Sequence, residues 1–328
     1  MRQPLSIILF AAVLLLLTGC KTPKLTVADQ QFARGEYFAA SKTYRNVYNK
    51  LNPKEDRDTR GRVAYQLATC YRKLNQAARA SAAYQNAIRY EYPDSMSYYW
   101  LGRSLQMEGK YEPAVDAYTT FLEYVPDDML AKEGIRGCRM AIRAKQAPKT
   151  RYQVKQAKIF NSRRADFAPM YLDESLNTLY FTSSNEKATG TNKSDITGTK
   201  NSDIFVSTKD EKGVWQRPEP AQGELNTEHD EGITAFSPDG QTMYLTVAKR
   251  SPNADSSVEI YTSRRSDASW SAPQRLEIIR DTISALGHPS VSPDGKYLYF
   301  TSDMPGGFGG KDIWRININD REIGRAHV

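Results

Sequence analysis

The stretch that decides the fold of the C-terminal half is Gly287–Trp314, which reads GHPSVSPDGKYLYFTSDMPGGFGGKDIW. A short apolar run meets a turn in which Pro293 presets φ, Asp294 can bond to nearby backbone amides, and Gly295 accepts a positive φ. Alternating side chains follow at 297–301, and a glycine-rich loop then leads to a last apolar run. The pattern predicts strand, tight turn, strand, loop and strand.

The same unit occurs twice more, intact at 232–247 and in a worn form at 167–183. A long repeat of strands and turns without a helical period predicts a β-propeller. These residues resemble the WD40-like β-propeller repeats of the TolB type, and the resemblance implies part of such a propeller. The repeat residues to which we assign a structural role are Pro238, Asp239, Gly240, Pro293, Asp294, Gly295, Asp203 and Asp312. Residues 152–160 alternate like a further outer strand.

The first half of the chain has a helical period. The steps from Leu67 to Leu101 and from Tyr84 to Tyr118 are both 34 residues, which is the period of tetratricopeptide repeats. An earlier copy lies at 35–44, and one more helix is expected at about 127–143. The stretch resembles three tetratricopeptide repeats. The fold class is therefore multidomain, α then β: an N-terminal α-solenoid followed by part of a TolB/WD40-like propeller.

Function in tetratricopeptide arrays lies on the concave groove, which receives a peptide or a partner segment. The residues predicted to point into that groove are Tyr65, Gln66, Tyr99, Arg103 and Gln106. The alternative for each is a solvated surface or, for tyrosine, a packing role.

The N-terminus predicts export. Arg2 precedes an apolar run, and Leu17-Thr-Gly-Cys20 resembles a bacterial lipobox, which implies cleavage before Cys20 and its acylation. The alternatives are an ordinary signal peptide or a membrane helix, for which the run is short. The resemblance implies an outer-membrane lipoprotein facing the periplasm, with residues 1–19 as signal peptide and 20–27 as anchor and tether.

Composition limits the partners. The net charge is +7 and the pI about 9.1, but the basic residues are scattered, which argues against nucleic-acid binding. Cys70 and Cys138 lie in the helical region and are expected to be buried free thiols rather than a disulfide or a metal site.

No catalytic constellation is evident, and no cofactor or metal is predicted. The chain lacks a Gly-x-Ser-x-Gly motif, and the loop at 306–311 departs from a phosphate-binding loop. His229 and His288 lie at corresponding places before two innermost strands. A metal or acid–base role is the functional alternative to a structural one for these two residues.

The domain assignment follows: 28–146 is the repeat domain, 147–321 the partial propeller of about three blades, and 322–328 a sequencing artefact. The order of lipobox, helical repeats and propeller resembles OmpA-family lipoproteins of Bacteroidetes, including the PorE-like component of the type IX secretion and gliding machinery. This resemblance implies a non-enzymatic scaffold that docks envelope proteins, with peptidoglycan bound only through a missing C-terminal domain. The alternatives are a propeller-gated prolyl-oligopeptidase-type hydrolase and a TolB-like accessory lipoprotein.

Overall fold

A computed structural model describes residues 23–147, 151–190, 193–249, 257–267, 269–278, 284–318 and 323–325. The chain forms two compact units, of which the first runs to Gln153 and includes Asp195–Gly198, and the second comprises the rest. The predicted signal peptide and Cys20 lie outside the described residues, as does most of the predicted artefact. The order α then β is confirmed.

The first unit is helical, and its helices pack on one another in chain order. Within the described residues they are α1 (Pro23–Ala33), α2 (Tyr37–Tyr48), α3 (Arg57–Lys73), α4 (Ala77–Arg89), α5 (Met96–Met107), α6 (Tyr111–Tyr124) and α7 (Met129–Gln146). Three helical hairpins and one final helix reproduce the predicted repeats. Cys70 and Cys138 are buried free thiols, as predicted, and burial raises the pKa of the Cys70 thiol to about 12.

One tyrosine in the second helix of each repeat fills the space beside the first helix. Tyr44, Tyr84 and Tyr118 are at most 1% exposed. A buried phenol needs a partner for its hydroxyl, and each finds one on the preceding helix. The hydroxyl partners are Asp29 Oδ1 at 2.7 Å for Tyr44, Thr69 Oγ1 at 3.2 Å for Tyr84 and Gln106 Oε1 at 2.8 Å for Tyr118.

Glycine makes room for the last of these rings. A Cβ atom placed on Gly102 of α5 would lie 2.9 Å from Tyr118, and one on Gly134 of α7 would lie 2.6 Å from it. Both distances are shorter than real Cβ contacts. Tyr118 is therefore clasped between two helices that approach closely only because both positions lack a side chain.

The final helix, α7, carries exposed charged residues at the end of the stack. Its Asp128 caps the first turn by accepting a hydrogen bond from the Ala131 amide at 2.7 Å. One repeat period, 34 residues, after the buried Gly102 and Leu105 stand the exposed Arg136 and Arg139. A further helical hairpin would bury these charges, so α7 ends the array as a polar cap.

The second unit consists of antiparallel sheets. The first sheet has the order β1 (Asp166–Tyr171), β2 (Thr178–Ser183), β3 (Asp203–Thr208) and β4 (Glu219–Pro220). The second comprises β5 (Asp230–Phe236), β6 (Thr242–Lys249), β7 (Ser257–Ser266) and β8 (Ser269–Trp270), with β9 (Gln274–Arg275) also paired to β7. The third comprises β10 (Leu286–Val291), β11 (Tyr297–Ser302), β12 (Asp312–Asn317) and β13 (Ile323–Arg325).

The predicted tight turns join the first two strands of the second and third sheets. Gly240 adopts φ +66° and Gly295 φ +71°, a region that favours glycine. Asp239 accepts a hydrogen bond from the Gln241 amide at 3.0 Å, and Asp294 makes the equivalent bond. These contacts hold the backbone of the two turns.

Neighbouring sheets are joined by a repeated hydrogen bond. The innermost strands β5 and β10 each carry a bulge, in which Ile233 and His288 adopt φ of +48° and +55°. The Ile233 amide donates to Thr182 Oγ1 of the preceding sheet at 3.0 Å, and the His288 amide donates to Thr246 Oγ1 at 3.1 Å. Sheets that pack in sequence through equivalent contacts have the arrangement of propeller blades.

The prediction of a strand at 152–160 is wrong. These residues are irregular and end in a turn. Tyr152 is 87% exposed and Val154 98% exposed, so the alternation has no face to bury. Phe160 does pack, at 5.3 Å between ring centroids, on Trp215.

We predict that Gly134→Val lowers the stability of the helical unit by about 1–3 kcal/mol, because the added side chain overlaps the buried ring of Tyr118. Thermal unfolding followed by far-UV circular dichroism measures the loss. Gly137→Val is the matched control on the same helix, since a Cβ there meets only the end of the Gln106 side chain, at 3.2 Å. Equal melting of both variants would contradict the clasp.

Candidate partner-binding face

The odd-numbered helices of the first unit contact one another directly along one side. Arg62 of α3 lies 3.3 Å from Asp29 of α1, as an ion pair. The guanidinium carbon of Arg72 in α3 lies 3.7 Å from the ring centroid of Trp100 in α5. We call the surface on which α1, α3, α5 and α7 meet in this way the odd-helix face.

Two of the predicted groove residues lie on this face. Arg103 is exposed, and no ion pair holds it among the described residues. Gln106 is half-buried, and its carbonyl oxygen accepts the hydroxyl proton of Tyr118. Its amide nitrogen is the atom that would lie nearest to a Cβ on Gly137 of α7. Gln106 therefore belongs both to the face and to the core behind it.

Tyr99 was predicted to point into the groove, and the structure places it in the core instead. It is 5% exposed. Its ring packs on Phe121 and Tyr118 of α6 at centroid distances of 5.3 and 5.9 Å. The aromatic side chains of α6 cover it, so it cannot meet a ligand without a change in packing.

Tyr65 is half-buried beside the face. Its ring lies 4.7 Å from Tyr92 and 5.7 Å from Tyr84, between centroids. Burial, and then the nearby carboxylate of Asp94, raise the pKa of Tyr65, so it is neutral at physiological pH. The predicted Gln66 is also half-buried on the same helix.

The chemistry of the face changes along the stack, a feature that the groove prediction missed. Positions one repeat period apart in α3, α5 and α7 form columns, and three of these columns begin with a basic residue and end with an apolar one. The three columns are Arg62, Met96 and Leu130; Arg72, Gln106 and Met140; and Lys73, Met107 and Ala141. The members of each column are related by the same 34-residue spacing that indicated the repeats. The change from basic to apolar residues is seen only when equivalent positions are compared across repeats.

The apolar end of the face is open to solvent. Met107 is 57% exposed, Leu130 65% and Met140 63%. Large apolar side chains exposed on one face are candidate contacts for a partner.

Of the two histidines predicted from the sequence, His288 lies in β10 and His229 lies immediately before β5. His288 is exposed, with Nδ1 at 2.8 Å from Thr301 Oγ1. His229 is half-buried, and its amide donates to Thr227 Oγ1 at 3.1 Å. His229 lines a cavity of about 270 Å³ together with Glu231.

In the part of the chain that the structure describes, no three His, Cys, Asp or Glu residues are grouped to hold a metal ion. None of the helices described is both long and apolar enough to span a bilayer.

The aspartates that open the third strands make local contacts. Asp203 is fully buried, and its Oδ2 accepts from the Thr189 amide and hydroxyl at 2.6 and 2.7 Å. Asp312 accepts from the Gly309 amide at 3.1 Å. These bonds tie each strand to the loop before it.

Comparison with protein families identifies the helical unit. The tetratricopeptide repeat family matches residues 62–95 and 96–128. These matches correspond to α3 with α4 and to α5 with α6. No curated protein matches the chain.

Several solved structures are similar to parts of this chain. The first tetratricopeptide repeat domain of Spaghetti (RPAP3) bound to the HSP90 peptide SRMEEVD is 19% identical, with a TM-score of 0.31, over 36% of this chain and 89% of that one. The Yersinia enterocolitica type III secretion chaperone SycD, in complex with a YopD peptide, is 18% identical, with a TM-score of 0.29, over 37% and 91%. A prolyl endopeptidase is 12% identical, with a TM-score of 0.31, over 48% and 21%.

Glu231, beside His229, is a buried carboxyl group in the second unit. It is 1% exposed, and it accepts hydrogen bonds from the Thr227 hydroxyl and, at 3.1 Å, from the Thr227 amide. Burial raises the pKa of Glu231 to about 7, and the neighbouring carboxylates of Asp203 and Asp230 act in the same direction. The folded chain therefore holds a proton there that the unfolded chain releases above a pH of about 4.5.

We predict that the second unit loses stability as the pH rises from about 4.5 through 7, by at most about 3 kcal/mol, because Glu231 must then be charged inside the fold. Glu231→Gln removes this loss and flattens the profile. Urea unfolding at several pH values, followed by tryptophan fluorescence, measures it, since three of the four tryptophans lie in this unit. An unchanged pH profile in the variant would count against a proton on Glu231.

Proposed function

We propose that this chain is a non-enzymatic scaffold whose odd-helix face binds a segment of another protein. The observation that carries the proposal is the contrast between the two sides of the odd helices. Behind the face, Tyr44, Tyr84 and Tyr118 are buried and their hydroxyls are hydrogen-bonded. On the face, four side chains are exposed: Lys73, Arg103, Met107 and Met140. Tetratricopeptide repeats are protein-interaction modules, which supports protein partners in general.

The proposal includes a membrane anchor and an envelope location. The lipobox-like tetrad ending at Cys20 supports acylation of that residue, and the absence of an aspartate directly after it favours the outer membrane, facing the periplasm. Two interaction modules on one anchored chain suit the assembly of envelope proteins. The order of the modules supports an OmpA-family role beside type IX secretion components, with peptidoglycan held by a further domain.

Site-specific photo-crosslinking tests the binding face. A photoreactive amino acid at position 103 or 140 is expected to give discrete crosslinked products with a partner in cells of the source organism. Asp116, exposed on the even helix α6, is the control position and is expected to give none. The same products from position 116, or none from the odd-helix face, would overturn the proposal.

We predict that Cys20→Ala moves the protein from the membrane fraction to the soluble fraction, because the substituted chain cannot be acylated. Immunoblotting of separated fractions measures the change. Cys70→Ala is the control and is expected to stay with membranes, since Cys70 is a buried thiol of the helical unit. A Cys20→Ala protein that remained in the membrane fraction would contradict the anchor.

A further inference from the structure

We infer that the segment bound by the odd-helix face has two parts, an acidic part that lies on α3 and an apolar part that lies on α5 and α7. The inference rests on the proposed function, because it names the chemistry of the partner for that same face. Its basis is the three columns, each of which changes from a basic residue in α3 to an apolar residue in α7.

The basic end is held in place before any ligand arrives. Asp29 pairs with Arg62, and Trp100 lies under the guanidinium of Arg72. Arg72 also donates to the hydroxyl of Tyr84 at 3.3 Å. Guanidinium groups fixed in this way lose little conformational entropy when they bind carboxylates.

Basic groups at this end outnumber the carboxylates beside them. The carboxylates are Asp29, which pairs with Arg62, and Asp94, which lies near Tyr65. The basic groups of α3 on this face are Arg62, Arg72 and Lys73. Arg103 adds an exposed guanidinium on α5. An acidic segment complements this surplus, and a basic segment is repelled by it.

The apolar end suits a side chain such as Leu or Phe. Met107 and Met140 are flexible and polarisable, so they can adapt to a ligand side chain of varied shape. Leu130 lies at the same end, one repeat beyond Met96. Because the charged residues of α7 close the array, we do not expect a further repeat to pack on these exposed side chains.

A lipid surface is the other class of partner that basic and apolar side chains can suit. Interfacial helices place an apolar face and basic residues along the same helix. Here the two kinds of residue are segregated along the stack, with the basic members of the columns on α3 and the apolar members on α7. The segregation favours a segment that runs across the helices.

Fluorescence anisotropy with labelled peptides on the whole chain tests the order of the two parts. The probes are a peptide with a run of Glu followed by Leu and Phe, a scrambled peptide of the same composition, and a Lys-rich analogue of the first. The first peptide is expected to bind most tightly, and its affinity is expected to fall as salt is added. Vesicles containing phosphatidylglycerol are the lipid probe.

Matched variants separate the two ends of the face. Lys73→Glu and Met140→Ser are each expected to weaken binding of the first peptide about fivefold. The controls are Arg89→Glu on α4, with the same change of charge, and Tyr124→Ser on the even helix α6, where the side chain is 61% exposed. Both controls are expected to bind as the unaltered chain does.

Equal binding of the scrambled peptide, equal effects of Tyr124→Ser and Met140→Ser, or binding to vesicles in place of peptides would overturn the inference. So would failure of every peptide to bind. If crosslinks from the odd-helix face are still found in that case, the proposed function survives and only the partner chemistry is wrong. If neither crosslinks nor peptide binding are found, both fail.

Discussion

The close approach of α5 and α7 around the ring of Tyr118 is the constraint on which the end of the helical array depends. Two positions without side chains, Gly102 and Gly134, admit one large ring, and that ring is fully buried. Ala28 and Ala68 are also fully buried, one repeat or more before Gly102. Small residues on the odd helices and large rings on the even helices thus set the spacing of the stack. Because the core lies on one side of each odd helix, the other side is free to vary.

In the second unit, neighbouring sheets are joined by backbone hydrogen-bond donors, whereas the helices of the first unit are spaced by buried rings. Each bulge puts a non-glycine residue at positive φ, which costs about 1 kcal/mol or more. The bulge also directs an amide toward a threonine of the sheet before it, and the bond recurs at two successive interfaces. Backbone donors satisfied in this way fix the register between neighbouring sheets.

Much of this fold was predictable from sequence because equivalent residues of a repeat recur at a regular spacing. The spacing from Leu67 to Leu101 indicated the helices, and the Pro-Asp-Gly turns indicated the strands. The site was harder: Tyr99 is aromatic and at a groove position, yet the rings of α6 bury it. Exposure depends on what packs from another helix, which spacing within one helix does not report. The strand expected at 152–160 failed for a related reason, since alternation predicts a strand only where one face can be buried.

Gln106 is where the two sides of an odd helix are not independent. Its carbonyl oxygen is the acceptor for the hydroxyl of Tyr118, while its amide nitrogen lies toward α7 on the odd-helix face. A ligand that rotated this side chain to reach its oxygen would leave the buried hydroxyl of Tyr118 without an acceptor, at a cost of about 1–3 kcal/mol. Recognition at this position therefore favours groups that accept from the amide. A hydrogen bond that stabilises the fold thus also influences which ligand groups this position can bind.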